Sequence, residues 1–192
     1  ATRITYVGEL GWELYVPTEF TPAVFDLLVE EGRAFGLRLA GYHAMNSLRM
    51  EKAYRHWSHD ITPEDSPLES GLGFCVAWDK RGGFVGRDAL LRQRDKGVGR
   101  RLVQFLLQDP EPLVYHDEPI WKDGAIVGRL TSGMYGHALG GAVGLGYVPV
   151  APGEDSAALL GSRFEIEVGG RIVPAKASLK PLYDPSSARI RV

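Results

Sequence analysis

Glu118-Pro-Ile-Trp-Lys-Asp-Gly-Ala-Ile-Val-Gly-Arg-Leu-Thr-Ser132 decides the fold of the second half of the chain. Two runs, Glu118 to Ile120 and Gly124 to Ser132, flank Lys122-Asp123-Gly124, and an Asp-Gly pair accepts the backbone angles of a tight hairpin turn. The same pattern repeats on both sides of this hairpin. Arg101 to Leu107 is a strand before it; Gly140 to Val148, Arg163 to Val168 and Arg171 to Ala177 follow, the last two joined at Gly169-Gly170. Short strands with turn signals about every ten residues predict a small all-β barrel or sandwich. Gly133, Gly136, Gly140, Gly141, Gly144 and Gly146 lack the Gly-Lys-Ser/Thr ending of a phosphate loop, so they read as tight turns between strands.

Before Arg101 the periodicity is mostly helical, so the whole chain reads as α+β. Gly86 to Lys96 is a charged helix with a narrow apolar face at Ala89, Leu90 and Leu91. Asp88 and Asp95 interrupt its basic residues, which favours a solvated connector over a polyanion site. The domain boundary falls in this helix, dividing 1–93 from 94–192. Leu72 to Trp78 is an apolar run short enough for a buried strand, with Cys75 a buried, inert thiol inside it. Thr62 to Ser70 is a surface loop. The helix in Leu39 to Glu51 puts Met45, Leu48 and Lys52 on one face, with Arg49 one turn after Met45. Arg49 is either an anchor for this helix or a ligand contact, and Glu51 and Lys52 read as solvated. Thr21-Pro22 opens an amphipathic helix of about 14 residues that covers one face of a sheet and stops at Gly36.

The first residues, Arg3-Ile-Thr-Tyr-Val-Gly-Glu-Leu-Gly-Trp-Glu-Leu-Tyr-Val16, place Ile4, Tyr6, Leu14 and Val16 at alternating positions around Gly8 and Gly11. Two short strands meeting at a glycine-permitted bend follow from that spacing. The bend crowds Glu9 and Glu13 beside Trp12 and two tyrosines. Such a wall suits a flat heterocycle with N–H donors, which stacks on the rings and donates to a carboxylate. An ordinary hairpin with its charges in solvent fits the same spacing. Tyr54-Arg-His-Trp-Ser-His-Asp60 admits a metal reading first, a site from His56, His59 and Asp60. No further histidine or cysteine cluster accompanies it.

Composition narrows the function classes. In 192 residues, 44% are hydrophobic and 24% charged, as in soluble globular proteins. A net charge of −2 gives no electrostatic case for nucleic acid or an anionic membrane. One cysteine excludes an internal disulfide framework and fits a reducing compartment. No run approaches the ~20 apolar residues of a membrane span. Opening on Ala1 inside a motif, the chain reads as part of a longer polypeptide.

Tyr6-Val-Gly-Glu-Leu-Gly-Trp-Glu-Leu-Tyr-Val-Pro17 resembles the signature of the glycine-cleavage T-protein (aminomethyltransferase) superfamily. Gly41 to Lys52, Trp57-Ser-His-Asp-Ile61, Pro67 to Phe74 and Gly146-Tyr-Val-Pro149 support it in chain order. The wording of the second and third favours the folate-binding region of dimethylglycine and sarcosine dehydrogenases. The resemblance implies the later part of a ferredoxin-like folate-binding domain followed by a C-terminal β-barrel. It implies tetrahydrofolate as cofactor and passage of a one-carbon unit from a methylated amine or aminomethyl donor to folate N5. By position, Glu13 matches the carboxylate that grips the pterin and Tyr6 an aromatic contact. In the same folate-cavity wall Tyr54 would face the pterin side with Trp57 nearby, Arg49 matches the second arginine of the helix motif, and Tyr183 a terminal tyrosine that reaches toward the ligand. Met45 stands where the family's ligand-facing arginine would be, so that contact does not carry over. The aspartate that acts on folate N5 and the FAD-binding domain would lie upstream, which leaves the catalytic residue unassigned and the segment inactive alone. The implied compartment is the bacterial cytoplasm or the mitochondrial matrix. A module of the same superfamily without transferase activity, serving tRNA modification or demethylation, is the alternative.

Overall fold

The computed structural model describes residues 1–191. Its helices are α1 (Thr21–Gly32), α2 (Tyr42–Glu51), α3 (Arg87–Lys96) and α4 (Ser156–Gly161). The strands are β1 (Arg100–Leu107), β2 (Pro119–Lys122), β3 (Ala125–Gly136), β4 (Gly141–Pro149), β5 (Phe164–Val168) and β6 (Arg171–Ser178). All six close into one antiparallel barrel in the order β1-β4-β3-β2-β5-β6. The Asp-Gly hairpin forms as its chemistry dictates: Asp123 and Gly124 both take positive φ, 52° and 86°. With the helices of the first half, this is the α+β architecture with a small C-terminal barrel.

The barrel interior is filled by Val103, Phe105, Ile120, Leu130, Phe164, Ile166 and their neighbours, each buried to within a few per cent. At about 2 kcal/mol per fully buried side chain, this cluster is the main cohesive element of the second half. A second cluster lies outside the barrel wall, where Met50 in the last turn of α2 and Ala53 just beyond it pack on Leu102, Val143 and Leu145. That explains why β4 reads as an unbroken apolar run: one face looks into the barrel and the other lies under α2. The glycine-rich stretch is not a set of turns. Gly133, Gly136, Gly141, Gly144 and Gly146 lie inside β3 and β4, and of the six only Gly140 sits in the turn. Their role is close approach, since a Cβ at Gly144 would stand 2.6 Å from Leu130 Cδ1.

The first half departs from the sequence reading in three places. The two arms of the N-terminal stretch meet at a single antiparallel bridge, Thr2 with Glu13, rather than as two strands. Ile4 and Leu14 are about half exposed, so no buried face fixes a ladder there. Helix α1 forms, and the 3-10 turn Arg33–Phe35 that follows it stops at Gly36 in the left-handed region, but α1 buries no residue, and no sheet lies beneath it among the described residues. Leu72 to Trp78 is not a buried strand. Gly73–Cys75 is a 3-10 turn, Phe74 is 83% exposed, and the Cys75 thiol is exposed rather than buried. No helix among the described residues is long and apolar enough to cross a membrane.

Candidate functional site

Helix α2 is the platform on which the site is assembled. Its Ser47 hydroxyl donates to the Tyr135 carbonyl on β3, and Gln104 on β1 donates to the Met50 and Glu51 carbonyls at its end. The helix leaves through Ala53 at φ 52°, which turns the chain sharply and brings Tyr54 and Arg55 back over it. Arg49 is almost fully buried. Its Nη1 reaches the Asp60 carboxylate at 2.7 Å and the Tyr54 carbonyl at 3.1 Å, and its Nε donates to Asn46. Asp60 also accepts from the His56 backbone N–H and from the Thr131 hydroxyl on β3. A buried pair so completely hydrogen-bonded fixes the 54–60 segment against both helix and barrel.

On this base stands an aromatic wall. Tyr6 and Tyr54 lie nearly parallel, 15° between planes and 6.2 Å between centroids, and the Tyr6 hydroxyl donates to the Arg55 carbonyl. Burial raises the Tyr6 and Tyr54 hydroxyl pKa values above the ordinary tyrosine value, Asp184 adding to the rise at Tyr54, so both stay neutral donors near neutral pH. Gly8 runs directly over the side chain of Lys52: at φ 79°, a Cβ there would lie 2.4 Å from Lys52 Cγ. Lys52 is therefore not solvated but fully buried, its Nζ donating to the Asp184 carbonyl at 2.6 Å and reaching the Asp184 carboxylate and Ser187. Glu51 is also buried rather than solvated, because its carboxylate accepts the Ala138 N–H at 2.6 Å. Both charges find partners far along the chain, which offsets their desolvation.

Of the six sequence-predicted site residues, the structure brings Tyr6, Tyr54 and Arg49 into one constellation. Tyr183 joins its edge: its N–H donates to the Glu51 carbonyl and its hydroxyl lies 3.5 Å from Glu9. Trp57, shortly after Tyr54 in sequence, is 61% exposed and pairs through its backbone with Ile61. Glu13 is exposed and accepts the Tyr15 hydroxyl at 2.7 Å through Oε2, which leaves Oε1 for another donor. The acid engaged by the protein is Glu9, held by Arg189 Nε at 2.7 and 2.8 Å. His56 and His59 stack at 4.4 Å, and Asp60 is taken by Arg49, so no group of three His, Cys, Asp or Glu among the described residues could hold a metal ion.

Two family models match the chain, the GCVT N-terminal domain over residues 1–80 and the glycine cleavage T-protein C-terminal barrel domain over residues 100–184. The chain belongs to the glycine-cleavage T-protein superfamily. Within the superfamily it is 48% identical to the 4-methylaminobutanoate oxidase (formaldehyde-forming) of Paenarthrobacter nicotinovorans, over 98% of this chain and 22% of that protein. It is 37% identical to the mitochondrial sarcosine dehydrogenase of Homo sapiens, over 100% of this chain and 21% of that protein. The chain thus spans about a fifth of the length of these relatives. The crystal structure of the glycine cleavage system aminomethyltransferase T from Bartonella henselae superposes with a TM-score of 0.81 at 27% identity, covering 96% of this chain and 49% of that one.

Sequence reasoning missed the tail-clasping residues. Nothing in the sequence pointed to these roles for Lys52, Asp184, Arg189 and Gln104, whose partners lie up to 180 residues away.

Proposed function

We propose that this chain is the tetrahydrofolate-holding, one-carbon-transfer region of an enzyme that processes an N-methylated amine, in the manner of the sarcosine and dimethylglycine dehydrogenases. The observation that carries this reading is the Tyr6–Tyr54 wall, held rigid from behind by the Arg49–Asp60 pair and standing in the superfamily's signature stretch. The residues present fit the group. A flat pteridine stacks on neutral tyrosine rings, and the free Glu13 oxygen receives its N–H donors in a charge-assisted bond. Trp57 extends the wall, Tyr183 closes it from the C-terminal side, and Arg49 Nη1 holds the Tyr54 carbonyl in place. Tetrahydrofolate, when bound, supplies the nitrogen that accepts the one-carbon unit. What the chain contributes is grip, orientation and exclusion of water; no catalytic acid or base is assigned to it.

The division at residues 93 and 94 into folate-binding part and barrel belongs to this reading. So do an FAD-bearing segment upstream on the same polypeptide and a home in the bacterial cytoplasm or mitochondrial matrix. Met45, at the position of the family's ligand-facing arginine, favours a second reading, a superfamily module that binds folate without transfer. Calorimetric titration of the full natural polypeptide with tetrahydrofolate tests the first. Binding that falls several-fold or more in Glu13→Ala supports it; wild-type protein that shows no binding overturns it.

A further inference from the structure

Four of the chain's five histidines, His43, His56, His59 and His116, line a single cleft of about 250 Å³. They come from three separate segments: the first turn of α2, the loop after it, and the stretch before β2. Beneath them lies the buried Arg49, whose Nε and Nη1 are spent on Asn46, Tyr54 and Asp60 while Nη2 is left unengaged. No aspartate or glutamate lines the cleft. Asp60 is enclosed behind Arg49 and satisfied there, and Asp117 sits at the rim, 2.9 Å from His116 Nδ1. Helix α2 begins here with Gly41 at its N-cap and no side-chain cap, so the positive end of its dipole belongs to the same corner. The imidazoles do not converge on a point that could hold a metal ion.

We propose that this cleft is a carboxylate-binding site, in which the four imidazoles and the Arg49 guanidinium receive a ligand's anionic end. Imidazolium and guanidinium donors with no lining acid form strong, charge-assisted bonds to carboxylate oxygens. The cleft adjoins the aromatic wall: Tyr42 and Arg49, which both line it, are near enough to act on the Tyr6 hydroxyl. Burial first, then His59 and Arg49, hold His56 below the ordinary histidine pKa against the opposing pull of Asp60. Since the imidazoles must be protonated to donate fully, affinity rises as pH falls; the charged or titratable groups facing the ligand are the four histidines, Arg49, Tyr42, Tyr115 and, at the rim, Asp117. Two ligands of the proposed reaction carry such an end, the glutamate of a folate and the carboxylate of an N-methylated amino acid. In this the inference rests on the reading above.

The test uses the full natural polypeptide, with γ-linked triglutamate and sarcosine as separate probes by calorimetry at about pH 6 and pH 8. One probe binds, more tightly at the lower pH, and the His56→Gln/His59→Gln variant loses about ten-fold in affinity. Triglutamate assigns the cleft to folate, and sarcosine assigns it to the amine. Histidine resonances of the wild type provide a readout that does not depend on the variant folding: those of His43, His56, His59 and His116 shift with the bound probe while that of His137 does not. Absence of binding by both probes, unchanged binding in the folded variant, or shifts that miss these four histidines overturns the proposal. Neither probe is tetrahydrofolate, so a failure of folate binding remains distinguishable.

Discussion

Glu9 and Arg189, 180 residues apart, meet in a two-oxygen ion pair at 2.7 and 2.8 Å that ties the N-terminal signature to the C-terminal tail. Beside it, Arg3 donates to the Ile190 carbonyl, and Lys52 gathers Asp184 and Ser187 from below. The tail is thereby tied to the N-terminal stretch and to the end of α2. Glu9 thus has a structural partner in the tail, whereas Glu13, four residues further on, is engaged only through Oε2, by the Tyr15 hydroxyl.

Because the Glu9–Arg189 pair is partly exposed, its loss costs little global stability but releases the tail. Glu9→Ala and Arg189→Ala are each expected to speed hydrogen exchange and protease cleavage across residues 180–191 while the unfolding midpoint moves little. Unchanged tail protection in both variants would disprove the clasp.

Gly8 has no room for a side chain and sits at a backbone angle that L-residues avoid. Gly8→Ala is expected to destabilise by about 1–3 kcal/mol, through strain and displacement of the Lys52 stem. Urea unfolding checks the magnitude, and slower tail exchange in the variant would contradict the mechanism.

The Arg49–Asp60 pair is buried on both sides. Arg49→Met leaves Asp60 without its cation and is expected to cost about 3–5 kcal/mol. Adding Asp60→Leu should restore part of that loss, because the uncompensated charge goes too. A double variant that is additive in unfolding free energy would show the two residues to be uncoupled.

Asp184 accepts the Ala188 N–H first of all, then those of Arg189 and the Lys52 ammonium, and these hold its carboxyl below the ordinary carboxylate value despite some burial. A depressed folded-state pKa means the unfolded state takes up the proton first as pH falls. The tail contact is fully present above the usual carboxylate range and is lost as pH falls through the lower folded-state value. Tail hydrogen exchange corrected for intrinsic rates should stay flat from neutral pH down to that range and rise below it. In Asp184→Asn the rise should disappear.

Most of the barrel was legible because its strands carry their own punctuation. Lys122-Asp123-Gly124 and Gly169-Gly170 can hardly be anything but hairpin turns, and β1 and β6 were delimited to within a residue. Closure was not legible from strand pattern alone, since the order β1-β4-β3-β2-β5-β6 depends on pairings between distant strands. The first half was harder. Leu72 to Trp78 is apolar enough for a buried strand, yet the 3-10 turn at Gly73–Cys75 leaves Phe74 and the Cys75 thiol facing solvent. Glu51 and Lys52 look like solvated residues at a helix end; their burial depends on Ala138 and Asp184, whose proximity no local pattern encodes. Around the candidate site, motif position singled out Tyr6, Tyr54 and Arg49, which the fold brings together, whereas Glu9's partner and the shared cleft of the histidines required the fold.

The most direct test of the central claim is a crystal structure of the full natural polypeptide with tetrahydrofolate bound. The account predicts the pteridine ring against Tyr6 and Tyr54, its N–H edge on the Glu13 carboxylate. A structure with folate seated elsewhere and Glu13 still turned to bulk water would contradict it.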